Sequence, residues 1–153
     1  MRAVVQRVLS ASVEVEGRVV SAIGPGLLVL VGVHEADADS DADFMYRLLS
    51  FHPPLSLNPI TGLLPAIVSI LVCVLNMRLF PNENTGKVWD QSVMQRSFEV
   101  LLVSQFTLYG ILKGNKPDFH VAMPPAKAKP FYASLVEKFQ RSYSADSVKA
   151  GEL

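Results

Sequence analysis

Residues 98–108 read FEVLLVSQFTL. A continuous Val/Leu-rich run that ends in small polar groups is the pattern of a strand buried on both faces. The spacing predicts a strand through to Leu108, with Ser104 and Phe106 on one face and Gln105 and Thr107 on the other. A second run of this kind, Leu27–Val33, follows the chain break Gly24-Pro25-Gly26. Upstream, Ala3–Val8 is rich in β-branched residues. Ser12–Glu16 alternates, Gly17 supplies a turn and Arg18–Ile23 continues, which predicts a β-hairpin with one wet face.

Downstream, Tyr109–Met123 reads as a loop, and the chain turns helical from Pro124. There Phe131, Leu135 and Phe139 share one face, with Pro130 in the first turn or at a kink. The last ten residues are polar and show no hydrophobic pattern. An earlier helix is expected from the acidic stretch EADADSDAD, residues 35–43, to Leu49, with Phe44, Tyr46 and Leu48 as its apolar contributors. Acids favour the positive end of a helix dipole. A calcium loop would need a glycine at its sixth position and a glutamate at its twelfth, and has neither.

Residues 50–74 do not fit these surroundings. They hold four of the ten prolines, at 53, 54, 59 and 65, and no Lys, Arg, Asp or Glu. The clean apolar part, Ala66–Leu75, is shorter than the ~20 residues that cross a bilayer, so no membrane association is expected. An uncharged, β-prone segment is also an aggregation hazard.

The chain has 153 residues, one domain's worth, with fourteen basic and fourteen acidic side chains. Zero net charge excludes a broadly basic nucleic-acid coat. The balance is uneven, however. Residues 1–76 carry four bases and seven acids, and residues 77–153 carry ten bases and seven acids, so a polyanion would meet the second half. Cys73 is the only cysteine, which excludes an internal disulfide and a cysteine-based zinc cluster. The three histidines are not spaced as metal ligands, and no metal or other cofactor is expected. The N-terminus lacks the apolar run of a signal peptide, so a cytoplasmic location is expected.

Chemistry could sit at the end of the 98–108 strand. A hydroxyl nucleophile at Ser104 or Thr107 needs a base in hydrogen-bond reach, and Asp118 and His120 are the only candidates nearby in sequence. There is no Gly-x-Ser-x-Gly elbow, P-loop or dinucleotide fingerprint. Ser and Thr at strand ends commonly do no more than satisfy backbone groups. In LKGNKPDFH, residues 112–120, Lys113 and Lys116 could meet phosphates while Phe119 stacks on a base. A solvated, proline-braced loop accounts for the same residues.

Taken in order, MRAVVQRVLSASVEVEG, AIGPGLLVLVGV, VSQFTL and LKGNKPDFHVAMP closely resemble D-aminoacyl-tRNA deacylases, particularly the eukaryotic ones. The resemblance covers residues 1–49 and 75–151. It implies an α+β fold with a mostly antiparallel or mixed, barrel-like sheet and two flanking helices, assembled as a homodimer. It implies hydrolysis of the ester joining a D-amino acid, or glycine on tRNA(Ala), to the terminal ribose of tRNA. By motif match, Ser104, Gln105, Phe106 and Thr107 line the aminoacyl pocket and act through backbone groups as much as side chains. Arg7 supports the pocket. Pro117, Phe119, Ala122 and Met123, with Lys116 beside them, border it. Either Thr107 is the nucleophile, or a water activated by the tRNA's own 2′-hydroxyl is. The lack of a local base agrees better with the water.

The sequence departs from the resemblance twice. Residues 50–74 have no counterpart and look like translated non-coding sequence. The chain also stops at VKAGEL, before a strand and a Gly-Pro motif that enters the partner's pocket and excludes L-amino acids. These departures imply poor rate and poor chiral selectivity. They also leave two further readings: an impaired splice or gene-model variant, and a nucleic-acid-binding module of the same fold.

Overall fold

The computed structural model describes residues 1–38 and 74–151. Four strands form the main sheet: β1 (Arg2–Val8), β4 (Gly26–Gly32), β5 (Glu99–Ser104) and β8 (Val148–Ala150), in the order β1-β4-β5-β8. β1 runs antiparallel to β4, while β4–β5 and β5–β8 are parallel. The two apolar runs are therefore the central strands, as their hydrophobicity requires. Leu27, Val29, Val31, Val100 and Leu102 are fully buried on one face.

That face is covered by α1 (Pro125–Ser142). Phe131, Tyr132, Leu135 and Phe139 on the helix pack with the strand residues, Val93, Met123 and Val148 into one core. Pro125 occupies the first helical position, where a missing N–H costs nothing. Pro130 lies inside the helix, in its second turn rather than its first. Past the helix end, the Tyr143 hydroxyl donates to Phe98 O at 2.9 Å and ties the helix to the start of β5.

The hairpin expected from the alternation is β2 (Ala11–Val15) and β3 (Arg18–Ile23). Glu16 and Gly17 both have positive φ, 51° and 77°, as a tight two-residue hairpin turn demands. A staple built on one ion pair, Glu99–Lys149, fastens this hairpin to the sheet. Lys149 Nζ lies 2.7 Å from Glu99 Oε1 and donates to Ala22 O at 2.8 Å, while Gly24 N–H donates to Glu99 Oε2 at 2.6 Å.

Several expectations are corrected. The four-stranded sheet is open rather than barrel-like, because β1 and β8 are separate edges. One α-helix stands among the described residues instead of two. The helix expected over 35–49 lies largely outside them, and its described start, Glu35–Ala36, is a turn. The 98–108 strand stops at Ser104, where a 3-10 turn spanning Phe106–Tyr109 begins. The loop 109–123 contains a small hairpin, β6 (Ile111–Lys113) and β7 (Lys116–Asp118). The polar tail supplies β8, whose Val148 is buried; three residues are too few for a periodic signal. Most of segment 50–74 falls outside the described residues. Its last residue, Val74, is fully buried beside Leu75 in the core. Among the described residues no helix is long and apolar enough to cross a membrane.

The Lys149 ammonium, then the Gly24 N–H, hold the Glu99 carboxyl below its ordinary value of 4.5. A depressed carboxylate adds stability that is present above its unfolded pKa and is lost as pH falls through the folded value. The denaturation midpoint of the wild type should therefore drop between about pH 6 and about pH 3, and Glu99→Gln should drop less steeply. Parallel profiles for the two proteins would show that the staple contributes nothing.

Candidate functional site

The parallel register pairs Val31 with Ser104 and so ends β5 beside the end of β4. Gln105 N–H donates to Val31 O at 2.7 Å, and the chain then turns sharply. Leu108 N–H returns to Gln105 O at 3.3 Å and Gly110 N–H to Thr107 O at 3.0 Å, closing the 3-10 turn. The first N–H groups of such a turn lack internal acceptors. Here these belong to Phe106 and Thr107, and both residues are exposed. The Gln105 amide nitrogen donates to Thr107 Oγ1.

The second wall comes from residues 119–123. Ala122 bridges His34, Met123 N–H donates to Val33 O at 2.9 Å, and Glu35 N–H donates to Val121 O at 3.0 Å. This pairing continues the β4 line beyond Gly32 and brings the segment beside the 3-10 turn. Phe119 meets Phe106 edge-on with ring centroids 5.1 Å apart. The approach is tight, since a methyl group at Gly110 would come within 2.9 Å of the Phe119 ring. Phe106 remains 57% exposed, so its ring is the one open to a ligand, and Phe119 is its half-buried support.

Asp118 organises the hairpin. Lys113 pairs with its carboxylate, His120 Nδ1 lies 2.9 Å from Oδ2, and His120 N–H donates to Oδ1 at 3.0 Å. The Lys113 ammonium, then the His120 backbone N–H, hold the Asp118 carboxyl at about 2. Lys113 is thus committed within the hairpin, and of the two lysines anticipated for phosphate, Lys116 makes no ion pair among the described residues. Pro117 and Lys116 lie on exposed β7, and Met123 is buried against α1.

The structure therefore brings Ser104, Gln105, Phe106 and Thr107 together with Phe119, Ala122 and Met123, and sets Lys116 and Pro117 on the adjoining hairpin. It does not bring Arg7 to them. Arg7 pairs with Leu27, which pairs with Val100, four residues from Ser104 along the same face. At ~3.3 Å per residue that is about 13 Å. Arg7 Nη1 instead donates to Leu79 O at 2.9 Å, and the guanidinium stands 5.7 Å from the Trp89 ring. With Leu9, Phe80, Arg96 and Phe98 it lines a groove of about 580 Å³ at the opposite end of the sheet. The arginine beside the turn is Arg2, which donates to Leu108 O at 2.8 Å. Nothing in the spacing of MRAVVQR marks one arginine over the other; the antiparallel register of β1 decides it.

A family model described as D-Tyr-tRNA(Tyr) deacylase matches residues 4–51 and 66–153. The chain belongs to this family. A D-aminoacyl-tRNA deacylase of Dictyostelium discoideum is 39% identical over 151 residues, covering 99% of this chain and 83% of that protein. D-aminoacyl-tRNA deacylase 1 of Mus musculus is 41% identical over 152 residues, and the chain spans 60% of its length. A solved structure of a c-Myc DNA unwinding element binding protein is 40% identical with a TM-score of 0.77, covering 100% of this chain and 85% of that one. The family model leaves residues 52–65 unmatched, a narrower gap than the sequence suggests, and resumes before the buried Val74.

Proposed function

We propose that this protein hydrolyses the ester bond of D-aminoacyl-tRNA, releasing the free D-amino acid and tRNA. The observation that carries this is the 3-10 turn at the end of β5. It offers two adjacent N–H groups, at Phe106 and Thr107, that have no acceptor among the described residues, beside an exposed aromatic ring. Fixed backbone donors suit the oxyanion that develops on an ester carbonyl. Family membership points to the same chemistry.

The local geometry favours water over Thr107 as the nucleophile. The Thr107 hydroxyl oxygen already accepts from Gln105, and His120 and Asp118 are engaged with each other. A water activated by the substrate's own 2′-hydroxyl needs no protein base. In this reading Ser104 and Gln105 shape the floor of the pocket, Phe106 carries the aminoacyl end or the terminal ribose, and Lys116 meets a phosphate. Glycyl-tRNA(Ala) fits the same pocket as a substrate without a side chain. The cytoplasm, where aminoacyl-tRNA is made and used, is the matching location.

The pocket-supporting role that the resemblance implies for Arg7 would have to come from a second copy, because within one chain Arg7 is offset from Ser104 by about 13 Å along the strands. We therefore infer a homodimer in which each site combines the 104–107 turn of one protomer with Arg7 of its partner.

A nucleic-acid-binding role is the second reading. It is favoured by Lys116, which makes no ion pair among the described residues, on the same hairpin as exposed Leu112, and by the likeness to a DNA unwinding element binding protein. Binding of uncharged RNA or DNA that weakens steeply with salt, without any deacylation, would select it.

Two experiments test the main reading. Incubated with matched D- and L-tyrosyl-tRNA, the wild type should release D-tyrosine. Thr107→Ala should lower kcat/KM about tenfold, or ~1.4 kcal/mol, without abolishing activity. Complete loss with substrate binding and fold intact would make Thr107 the nucleophile. For the dimer, Arg7→Ala and Thr107→Ala proteins should be unfolded together and refolded as a mixture. The heterodimer has one site carrying both substitutions and one carrying neither, so the mixture should exceed the mean activity of the two parents. A mixture equal to that mean would place both residues in one protomer's site.

A further inference from the structure

We propose that Arg2 is a positioning residue that locks the Phe106–Tyr109 turn from behind and so sets where the Phe106 and Thr107 N–H groups point. Its kinetic consequence rests on the deacylase reading above; the lock itself does not.

A 3-10 turn leaves carbonyls unpaired at its end as well as N–H groups at its start. At the start of this one, Gln105 N–H is fixed to Val31 O at 2.7 Å. At its end, Leu108 O accepts from Arg2 Nη1 at 2.8 Å. The same guanidinium lies 4.5 Å from the centroid of the Tyr109 ring. Tyr109 is buried and meets His34 edge-on at 5.1 Å. Arg2 thus binds the last two residues of the turn at once, one by a charge-assisted hydrogen bond and one by a cation–π contact.

The seat beneath the turn is equally specific. Gly32 is the register partner of Arg2. A methyl group there would fall 2.8 Å from Leu108 Cβ, 3.2 Å from Gln105 O and 3.3 Å from the Tyr109 ring. The turn therefore rests directly on bare β4 backbone, and Arg2 closes over it from the neighbouring strand. Removing Arg2 leaves the entry bond to Val31 and frees the exit. The two N–H groups between these anchors lose their fixed direction, and small misplacements of catalytic donors are costly.

Arg2→Met and Arg2→Lys separate positioning from simple stability. A lysine ammonium can still reach Leu108 O, although it lacks the planar group that stacks on Tyr109. Arg2→Met should lower kcat about tenfold, leave KM within about twofold and leave the melting temperature close to wild type. Arg2→Lys should recover most of that loss. Wild-type kcat in Arg2→Met, or equal losses in both variants in step with lowered melting temperatures, would overturn the proposal. Amide hydrogen exchange supplies a readout that needs no activity. Leu108 and Gly110 should exchange faster in Arg2→Met, with β4 and β5 unchanged, and equal protection in both proteins would also overturn it. If the wild type hydrolyses no aminoacyl-tRNA yet the exchange difference is present, the deacylase reading fails and the lock stands.

Discussion

Parallel pairing of β4 with β5 sets both the core and the place of the candidate site. Six consecutive pairs, from Gly26–Glu99 to Val31–Ser104, fix both the depth of the core and the place where β5 ends. Parallel strands need cover on both faces. Helix α1 covers one face, and the β2–β3 hairpin, held through Glu99 and Lys149, lies against the other. Because the register carries Ser104 level with Val31, the chain must turn just where Gly32 leaves room for it. The 119–123 segment then completes the wall by bonding to Val33 and Glu35.

This arrangement explains why the candidate site is built mainly of backbone. The end of β5 presents N–H groups that no local acceptor uses, and the side chains around them are spent on one another. Gln105 binds Thr107, Asp118 binds Lys113 and His120, and Phe119 props Phe106. What remains open among the described residues is one aromatic face, two amides, the Ser104 hydroxyl and the Lys116 ammonium. Such a set suits holding and polarising an ester at the end of a polyanion, and it includes no free base beside Ser104 or Thr107 among the described residues. The chemistry proposed for this protein follows from that limit.

Much of this was legible in the sequence. Apolar runs identified both central strands, alternation gave the β2–β3 hairpin, and a helical stripe of Phe131, Leu135 and Phe139 gave α1. Motif resemblance gathered the residues of the turn and of the 119–123 wall. Other features left no periodic trace. A polar Ser-Gln-Phe-Thr stretch alternates as well as any strand, and only the seat at Gly32 and the bond to Val31 O bend it into a turn. Val148–Ala150 is too short to show a pattern, yet Val148 is buried by its place beside β5. The two arginines of β1 cannot be ranked by composition; register sends Arg7 to the groove of Phe80, Arg96 and Phe98 and Arg2 to the β5 turn.

On the proposed chemistry the aminoacyl ester seats on the β5 turn, and Arg7 reaches it only from the partner protomer. Amide chemical-shift mapping with a non-hydrolysable D-aminoacyl adenosine, its ester replaced by an amide, tests this directly. The largest changes should fall on Ser104–Gly110, on His34 and on Phe119–Met123. Changes centred on Leu79–Phe98, with the β5 turn unmoved, would contradict the account.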